Sequence, residues 1–441
     1  MRRCVVSQLA IIADDLSSAT DCGIQVARAG LRTYVPLGTY RISERAEIVD
    51  VLSVDTDSRN LSSSRAYEEV HKATLEVAGA GFSQVYKSMD STLRGNVGVE
   101  IDAVLDASSF DCAIVAPAYP LYGRKTLGGM HFLYGTPINE TEFATDPQCP
   151  VVEADLIRLF SFQSSRKVGR VSLETLRDGA PAVGHRLGDL LSGGIELAVF
   201  DIEEEADLDR LVATVAAANL RVLWVGSTGL ARCVPRAIGS TAANGQPAME
   251  RNRRDPMLIV SGSVSEVTEG QLAAVNRELG VVLVELDPFK VIEGGSPAWE
   301  EQARCASLLS SSIGAGMDTA LHLPFGRENI SKAQELGRSL GQDRNRVAEM
   351  IMASLADTTT GIVKDHRVRG LVLTGGDTAR AVTRALGGRA MRILLEVEPG
   401  IPLCQLLGPT ETLIVIKAGG FGSPDVLEKA AAMTRKVRVE N

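Results

Sequence analysis

The chain has 441 residues, of which 45% are hydrophobic, 23% charged and 4% aromatic, proportions of a globular enzyme that exclude a disordered or collagen-like chain. Its 46 Lys plus Arg against 55 Asp plus Glu give a formal net charge of −9, so no broad positive field exists to gather a polyanion, and nucleic acid is not an expected partner. At about 150 residues per domain, the length predicts two to three domains.

Seven cysteines, Cys4, Cys22, Cys112, Cys149, Cys233, Cys305 and Cys404, are scattered without a CxxC pair and read as buried thiols in a reducing compartment. The first apolar run ends at Asp14 and Asp15, too early for the core of a signal peptide. No stretch approaches the roughly 20 apolar residues needed to cross a bilayer. A cytoplasmic protein with no membrane partner is expected.

In chain order, strands are predicted at 9–13, 47–54, 84–86, 112–116, 197–200 and 221–225, with helices at 62–77 and 207–218 between them. Residues 238–256 lose hydrophobic periodicity and become rich in Gly, Ala, Asn, Pro and Arg, as a linker would. A second alternation follows, with strands at 257–260, 281–286, 319–323, 370–373, 393–397 and 413–416 and a helix at 342–355. The expected class is α/β: two lobes, 1–237 and 257–441, each a mostly parallel sheet flanked by helices, with an active site in the cleft between the lobes.

In parallel sheets, ligands gather at the carboxyl ends of strands, so the residues following each apolar run carry the functional signal. The first run leads into Asp14 and Asp15, two adjacent carboxylates that need a compensating cation, metal or substrate donor unless one is merely a helix cap. The third leads into Lys87, Ser88, Asp90, Ser91, Thr92, Arg94 and Asn96, a density of cations and hydroxyls suited to an anionic, hydroxylated ligand. A weaker cluster, Asp55 to Arg59, ends the strand between them. The Pro- and Gly-punctuated stretch from Pro117 through Asp146 reads as loops.

In the second half, three glycine turns follow strands: Ser261-Gly262-Ser263, Thr374-Gly375-Gly376-Asp377-Thr378 and Lys417-Ala418-Gly419-Gly420-Phe421-Gly422. Glycines let backbone amides approach phosphate oxygens, and a helix starting at Asp377 or Thr378 would add its positive end, so the three turns outline a phosphate cradle. Asp377 either caps that helix or holds magnesium. Arg124-Lys125-Thr126 lacks the glycine of a P-loop, no GxGxxG follows a strand, and His71, His131, His185, His322 and His366 form no HExxH.

These residues stand in ordered motifs: ADD at 13–15, DTDSR at 55–59, KxxDSTLRGN at 87–96, PAxPxxGR at 117–124, SGSxSxxT at 261–268, TGGDTA at 374–379, PGIP at 399–402 and KAGGFG at 417–422. Over nearly its whole length the chain thereby resembles the four-carbon acid sugar kinases, which include D-threonate, D-erythronate and 3-oxo-tetronate kinases. The resemblance implies an N-terminal lobe for the sugar acid, a C-terminal lobe for ATP with Mg2+, and transfer of the γ-phosphoryl group to the terminal hydroxyl. By motif, Ser261, Gly375, Gly376, Asp377, Thr378, Gly419 and Gly420 fall on the nucleotide side, while Asp14, Asp15, Arg59, Lys87, Asp90, Ser91 and Arg94 fall on the substrate side. After ADD this chain carries Leu16-Ser17-Ser18, where members typically have a Thr-Gly-Ala type sequence, so backbone freedom is reduced there.

On this reading Arg94, helped by Lys87 or Arg59, holds the substrate carboxylate, and Asp14, Asp15 or Asp90 orients the attacking hydroxyl. Two rivals predict other behaviour. A non-catalytic sugar-acid binding or sensor protein would have no use for the glycine turns, and a dehydrogenase would show a dinucleotide fingerprint. The sequence leaves a homo-oligomer open.

Overall fold

The computed structural model describes residues 8–37, 49–146, 148–238 and 255–438, without the side chain of Arg327. Most of the expected linker, 239–254, and the start of the strand expected from 47 lie outside the described residues. Compactness divides the chain into two units, with the described residues 8–36 and 49–238 in the first and residues 37 and 255–438 in the second.

The first unit begins β1 (Leu9–Ala13), α1 (Leu16–Arg28), β2 (Thr33–Pro36), β3 (Val51–Asp55), α2 (Ser63–Gly79), β4 (Gln84–Ser88), α3 (Val97–Ala107) and β5 (Cys112–Ala116). The short strands β6 (Arg124–Leu127), β7 (Met130–Leu133) and β8 (Thr136–Pro137) follow. Then come α4 (Leu156–Gln163), β9 (Val168–Val171), α5 (Leu173–Arg177), α6 (Ala180–Ser192), β10 (Leu197–Phe200), α7 (Glu205–Ala216), β11 (Val222–Gly226), α8 (Thr228–Ala231) and α9 (Val234–Ala237). Its main sheet has the order β2-β3-β1-β4-β11-β5-β10-β9, and every pairing within it is parallel. Alternate residues of one strand enter opposite cores: Leu9 and Ile11 pack with Ile114, Phe200 and Trp224, while Ala10 and Ile12 pack with Val85, Val115 and Leu223. A strand covered on both faces must be apolar throughout, which is why these runs are continuous in sequence.

The second unit contains β12 (Met257–Ser261), α10 (Glu266–Leu279), β13 (Val282–Glu285), α11 (Pro288–Glu293), α12 (Gly295–Gly314), β14 (Thr319–His322), α13 (Arg327–Ser339) and α14 (Arg344–Asp365). It continues with β15 (Gly370–Thr374), α15 (Gly376–Ala385), β16 (Ala390–Glu398), β17 (Ile401–Leu407), β18 (Thr412–Lys417) and α16 (Val426–Lys436). Strands β13-β14-β12-β15-β18 are parallel, and β17 and β16 extend the sheet antiparallel. The two-lobe α/β expectation holds. The antiparallel β16–β17 pair was not expected; it turns at Pro399-Gly400, where Gly400 has φ of 78°, so the PGIP motif is a hairpin turn and the first residues of a strand.

Two expectations are revised. The stretch after β5 is not loop alone: β6, β7 and β8 form a small antiparallel sheet. Strand β4 also runs two residues further than its apolar run, carrying Lys87 into the core. The Lys87 side chain is 1% exposed and its ammonium lies 2.8 Å from the Glu100 carboxylate of α3, itself 3% exposed. Of the described cysteines, five are buried and Cys149 is partly exposed; Cys4 lies outside the described residues. No helix among the described residues is long and apolar enough to cross a membrane.

A buried ion is tolerated only with its partner, and removing one member of such a pair costs about 3–5 kcal/mol. Glu100→Leu is expected to lower the urea midpoint of the first unit accordingly. The double variant Lys87→Met/Glu100→Leu, which buries no charge, should regain most of that loss; a double variant no more stable than Glu100→Leu would contradict this account of the pair.

Candidate functional site: two strand-end rims

In the first unit the candidate residues follow β3, β1 and β4, which are neighbours in the sheet, so parallel pairing brings their three turns side by side. The adjacent acids find their cation within the chain. Arg59 donates from Nε to Asp14 at 2.7 Å and from Nη2 to the other Asp14 oxygen at 3.0 Å. Its Nη1 lies 2.6 Å from Asp15, and Nη2 also donates to Ser18 Oγ at 3.0 Å. Asp15 is the N-cap of α1, accepting from the Ser18 amide at 2.6 Å. The two readings of this acid pair are therefore both partly right: one residue caps, and a cation compensates both.

The turn after β4 is organised around Asp90. Its Oδ1 accepts from the Thr92 amide and hydroxyl, each at 2.9 Å, and its Oδ2 accepts from Arg94 Nε at 2.6 Å. Burial alone would raise the Asp90 carboxyl, but the Arg59 and Arg94 guanidinium groups and the Thr92 amide outweigh it and hold the group below its ordinary value. Asp90 is thus an ionised acceptor at neutral pH. Arg94 stacks over Phe143 at 5.3 Å and reaches Asp146 from Nη1 at 3.4 Å. Among the described residues its Nη2 has no acceptor, so Arg94 keeps part of its guanidinium fork available to a ligand.

Lys87 departs from the expected mobile charge: it is held by Glu100 and donates to the Ser88 carbonyl at 2.5 Å. Its place is beneath the rim, where Glu100 also accepts from Ser58 Oγ at 2.7 Å and so braces the turn after β3. Arg59 is likewise occupied by carboxylates. Two non-glycine residues in these turns, Asp57 with φ of 50° and Leu93 with φ of 65°, adopt left-handed backbone, strain that persists only where surrounding contacts fix it.

The roles of two supporting residues, Asn96 of the 87–96 motif and His131, follow from tertiary contacts. Asn96 Nδ2 donates to the Leu61 carbonyl at 3.0 Å and to that of Ser58 at 3.3 Å, tying two turns together. His131 on β7 is fully buried, and its Nε2 meets the Ser91 carbonyl at 2.9 Å while Nδ1 meets Thr126 Oγ1 at 3.0 Å. A carbonyl can only accept, so Nε2 carries the proton. Burial pulls the imidazole down to about 4, leaving it a neutral prop for the Ser91 turn. Nothing in the spacing of the histidines signals this, because β6 and β7 bring it there.

In the second unit the three glycine turns follow β12, β15 and β18, again neighbours in the sheet. They are tied to one another: the Gly262 amide donates to Thr378 Oγ1 at 3.1 Å and the Gly375 amide to the Lys417 carbonyl at 2.8 Å. Ser265 and Thr268 hydroxyls both donate to the Gly419 carbonyl at 2.8 Å. Gly375 has φ of 105°, a conformation that favours glycine, and a Cβ on Gly419 would lie 2.2 Å from Ser263 Oγ, so any side chain there would displace Ser263. Helix α15 starts at Gly376 with no side chain capping its first turn, leaving amides and the positive end of its dipole at the rim.

Three sequence readings are refined here. Asp377 does not cap α15, whose N-cap is Gly375; it lies exposed in the first turn with no hydrogen-bond or ion-pair partner among the described residues. Thr378 is buried and serves to tie Gly262. Ser261 is also buried, its hydroxyl donating to the Ser263 carbonyl at 3.3 Å, so its side chain shapes the turn from within.

Fold and rims together define a two-unit α/β protein with one ion-paired polar rim and one rim of unpaired amides suited to phosphate. Residues 9–234 match the family described as a sugar-binding N-terminal domain, and residues 258–427 that described as a nucleotide-binding C-terminal domain. A D-threonate kinase of Salmonella typhimurium is 32% identical, over 95% of this chain and 96% of its own. A 3-oxo-tetronate kinase of Cupriavidus necator is 30% identical, over 96% of each chain. A solved Haemophilus influenzae protein shares the fold at 23% identity with a TM-score of 0.77, over 96% of this chain and all of its own. The chain belongs to the four-carbon acid sugar kinase family, and it is a phosphotransferase rather than a sensor.

The glycine rim makes a contrast that can be measured. Gly375→Ala forces a side chain into left-handed backbone, a strain of about 1–2 kcal/mol, and should weaken nucleotide binding about tenfold. Gly420→Ala, where a Cβ meets nothing within 4 Å, should change it little. Equal effects in calorimetric titrations would contradict the geometry assigned to this rim.

Proposed function

We propose that the protein transfers the γ-phosphoryl group of ATP to the terminal, C4 hydroxyl of a four-carbon sugar acid such as D-threonate, D-erythronate or a 3-oxo-tetronate. The observation that carries this reading is the segregation of chemistry between two strand-end rims: paired carboxylates and guanidinium groups in the first unit, unpaired amides in the second. Support also comes from full-length relatives named for kinases of these acids and from the two matched domain descriptions.

The first unit is assigned the acid and the second the nucleotide. Arg94, whose Nη2 faces no acceptor among the described residues, takes the substrate carboxylate; Arg59 sets the charge of the rim by neutralising Asp14 and Asp15. Holding the carboxylate at one end leaves the primary hydroxyl at the other as the least hindered nucleophile. Asp90, already ionised, accepts a hydrogen bond from that hydroxyl and orients it, while Asp14, Asp15 and Ser91 line the remaining polar edge. Strong base catalysis is unnecessary, because a loose phosphoryl transition state depends on alignment and charge neutralisation.

On the nucleotide side, the amides of Gly376, Gly419 and Gly420 and the rest of the first turn of α15, from Asp377, supply donors to phosphate oxygens, with Gly375 giving the turn its backbone shape and Ser261 and Thr378 bracing it. No group of three or more His, Cys, Asp or Glu side chains among the described residues could enclose a metal. Magnesium in kinases is held by one or two carboxylates together with the phosphates themselves, and the unpartnered Asp377 fits that need. Its contribution when bound is neutralisation of phosphate charge.

ATP consumption measured against D-threonate, L-threonate, D-erythronate, L-erythronate and 3-oxo-tetronates tests the reading. Asp90→Asn should depress kcat by about 10²-fold or more, the scale of a positioned acid–base group, with a smaller change in the KM for ATP. Arg94→Gln should chiefly raise the KM for the acid. Absence of turnover with every acid, or variants indistinguishable from the parent, would overturn the assignment.

A further inference from the structure

The protein buries two lysines, and they are treated differently. Lys87 has Glu100 as its counter-ion. Lys417, the last residue of β18, is also 1% exposed, yet its ammonium contacts only neutral oxygens: it donates to the carbonyls of Ala418 at 2.9 Å, Phe421 at 3.1 Å and Gly419 at 3.2 Å. Charged groups on the ends of the elements about this loop include Glu266 and Glu269 of α10, Asp377 and Arg380 of α15, Glu398 of β16 and Lys429 of α16, with Asp425 at the N-cap of that helix. None of them pairs with Lys417; Glu398 and Asp425 are taken by Lys429.

Those three hydrogen bonds also fix the direction of the loop. In a trans peptide the carbonyl and the following N–H point to opposite sides, and the protein has no cis peptide among the described residues. Drawing the carbonyls of residues 418, 419 and 421 onto Lys417 therefore turns the amides of Gly419, Gly420 and Gly422 away from it. Among the described residues none of these three amides has an acceptor, whereas the Phe421 amide, whose preceding carbonyl is not held, returns to the Ala418 carbonyl at 3.1 Å. Lys417 shares the Gly419 carbonyl with Ser265 and Thr268 and the Phe421 carbonyl with Gln271, but it alone gathers all three carbonyls at one atom, and it lies behind the three donors with an unneutralised charge.

We propose that Lys417 is the internal cation of the polyphosphate site: it positions the Gly419, Gly420 and Gly422 amides, and the bound nucleotide supplies the negative charge that the chain withholds from it. The inference rests on the reading of the glycine turns as a nucleotide cradle. It extends that reading by naming a positioning residue and a linkage, since a cation without a counter-ion gains one when nucleotide binds.

The linkage has a definite sign. Burial alone, with no opposing carboxylate, pulls the Lys417 ammonium down to about 8. A bound polyphosphate favours the charged form and raises that value, so nucleotide binding near pH 8, where about half the sites are already protonated, must draw up to about half a proton per site from solution. Affinity should be nearly constant below this pH and fall as pH rises through it, towards about tenfold per unit until the raised value of the complex is reached.

Calorimetric titration of the full chain with ADP, at pH 8 in buffers of different ionisation enthalpy, measures the proton count directly. The expected result is net uptake in the parent, no uptake in Lys417→Met together with at least about tenfold weaker binding, and partial recovery of affinity without uptake in Lys417→Arg, whose charge is fixed. ADP binding by the parent without uptake, or a Lys417→Met variant with unchanged affinity and uptake, would overturn the role of Lys417 while leaving the kinase reading intact. If Lys417→Met fails to fold, the parent's proton count and pH profile decide. A parent that binds no nucleotide would instead remove the reading on which the inference rests.

Discussion

The contacts of Arg59 with Asp14 and Asp15 are the constraint on which the acid-facing rim depends. Two carboxylates in adjacent positions at the end of a buried strand repel each other and lose hydration. One guanidinium, placed by the turn after the neighbouring strand β3, meets both of them. Its position is in turn fixed by backbone bonds from Ser58 and Arg59 to the Asp14 carbonyl and by Asn96, so three turns from three strands form one polar body. The same Arg59, together with Arg94, holds the neighbouring Asp90 carboxyl below its ordinary value against its burial, so the rim presents Asp90 as an ionised acceptor at neutral pH.

The second rim solves the opposite problem. Its turns carry few charged groups, and their hydroxyls are spent on holding glycine carbonyls, which leaves backbone amides as the free donors. An array of amides backed by Lys417 and by the start of α15 is a fixed positive dipole field that reorganises little on binding. The rim of the first unit is internally neutralised, and on the proposed assignment it selects the acid by shape and hydrogen bonding, whereas the glycine rim is left short of negative charge. On that assignment this difference, more than overall charge, separates the two ligands.

Much of the fold was legible because strands buried on both faces have no polar positions: residues 9–13, 112–116 and 197–200 coincide with β1, β5 and β10. Edge and partly covered strands lack that signature. β2 and β9 are short, and the hairpin β6–β7 carries Arg124, Lys125 and His131 among its residues, so it reads as loop. The residue types at the strand ends were visible as motifs, but their partners were not. A lysine at a strand end looks like a solvated charge; only tertiary packing reveals that Glu100, four residues into α3, lies against Lys87, or that Lys417 faces inward beneath its own loop. Asp15 illustrates the converse case, where a local rule, acid before helix, correctly names a cap while long-range pairing with Arg59 adds a second role.

The central claim is that nucleotide engages the amides of the glycine turns and the acid engages the charged turns. Hydrogen exchange, followed separately with a non-hydrolysable ATP analogue and with the preferred acid, reads those amides directly, because the unpaired ones exchange freely until a ligand accepts from them. The account predicts that the ATP analogue slows exchange at 376–378, 419, 420 and 422 and that the acid slows it at 87–96. Protection of 87–96 by the ATP analogue, with 419–422 left unchanged, would contradict it.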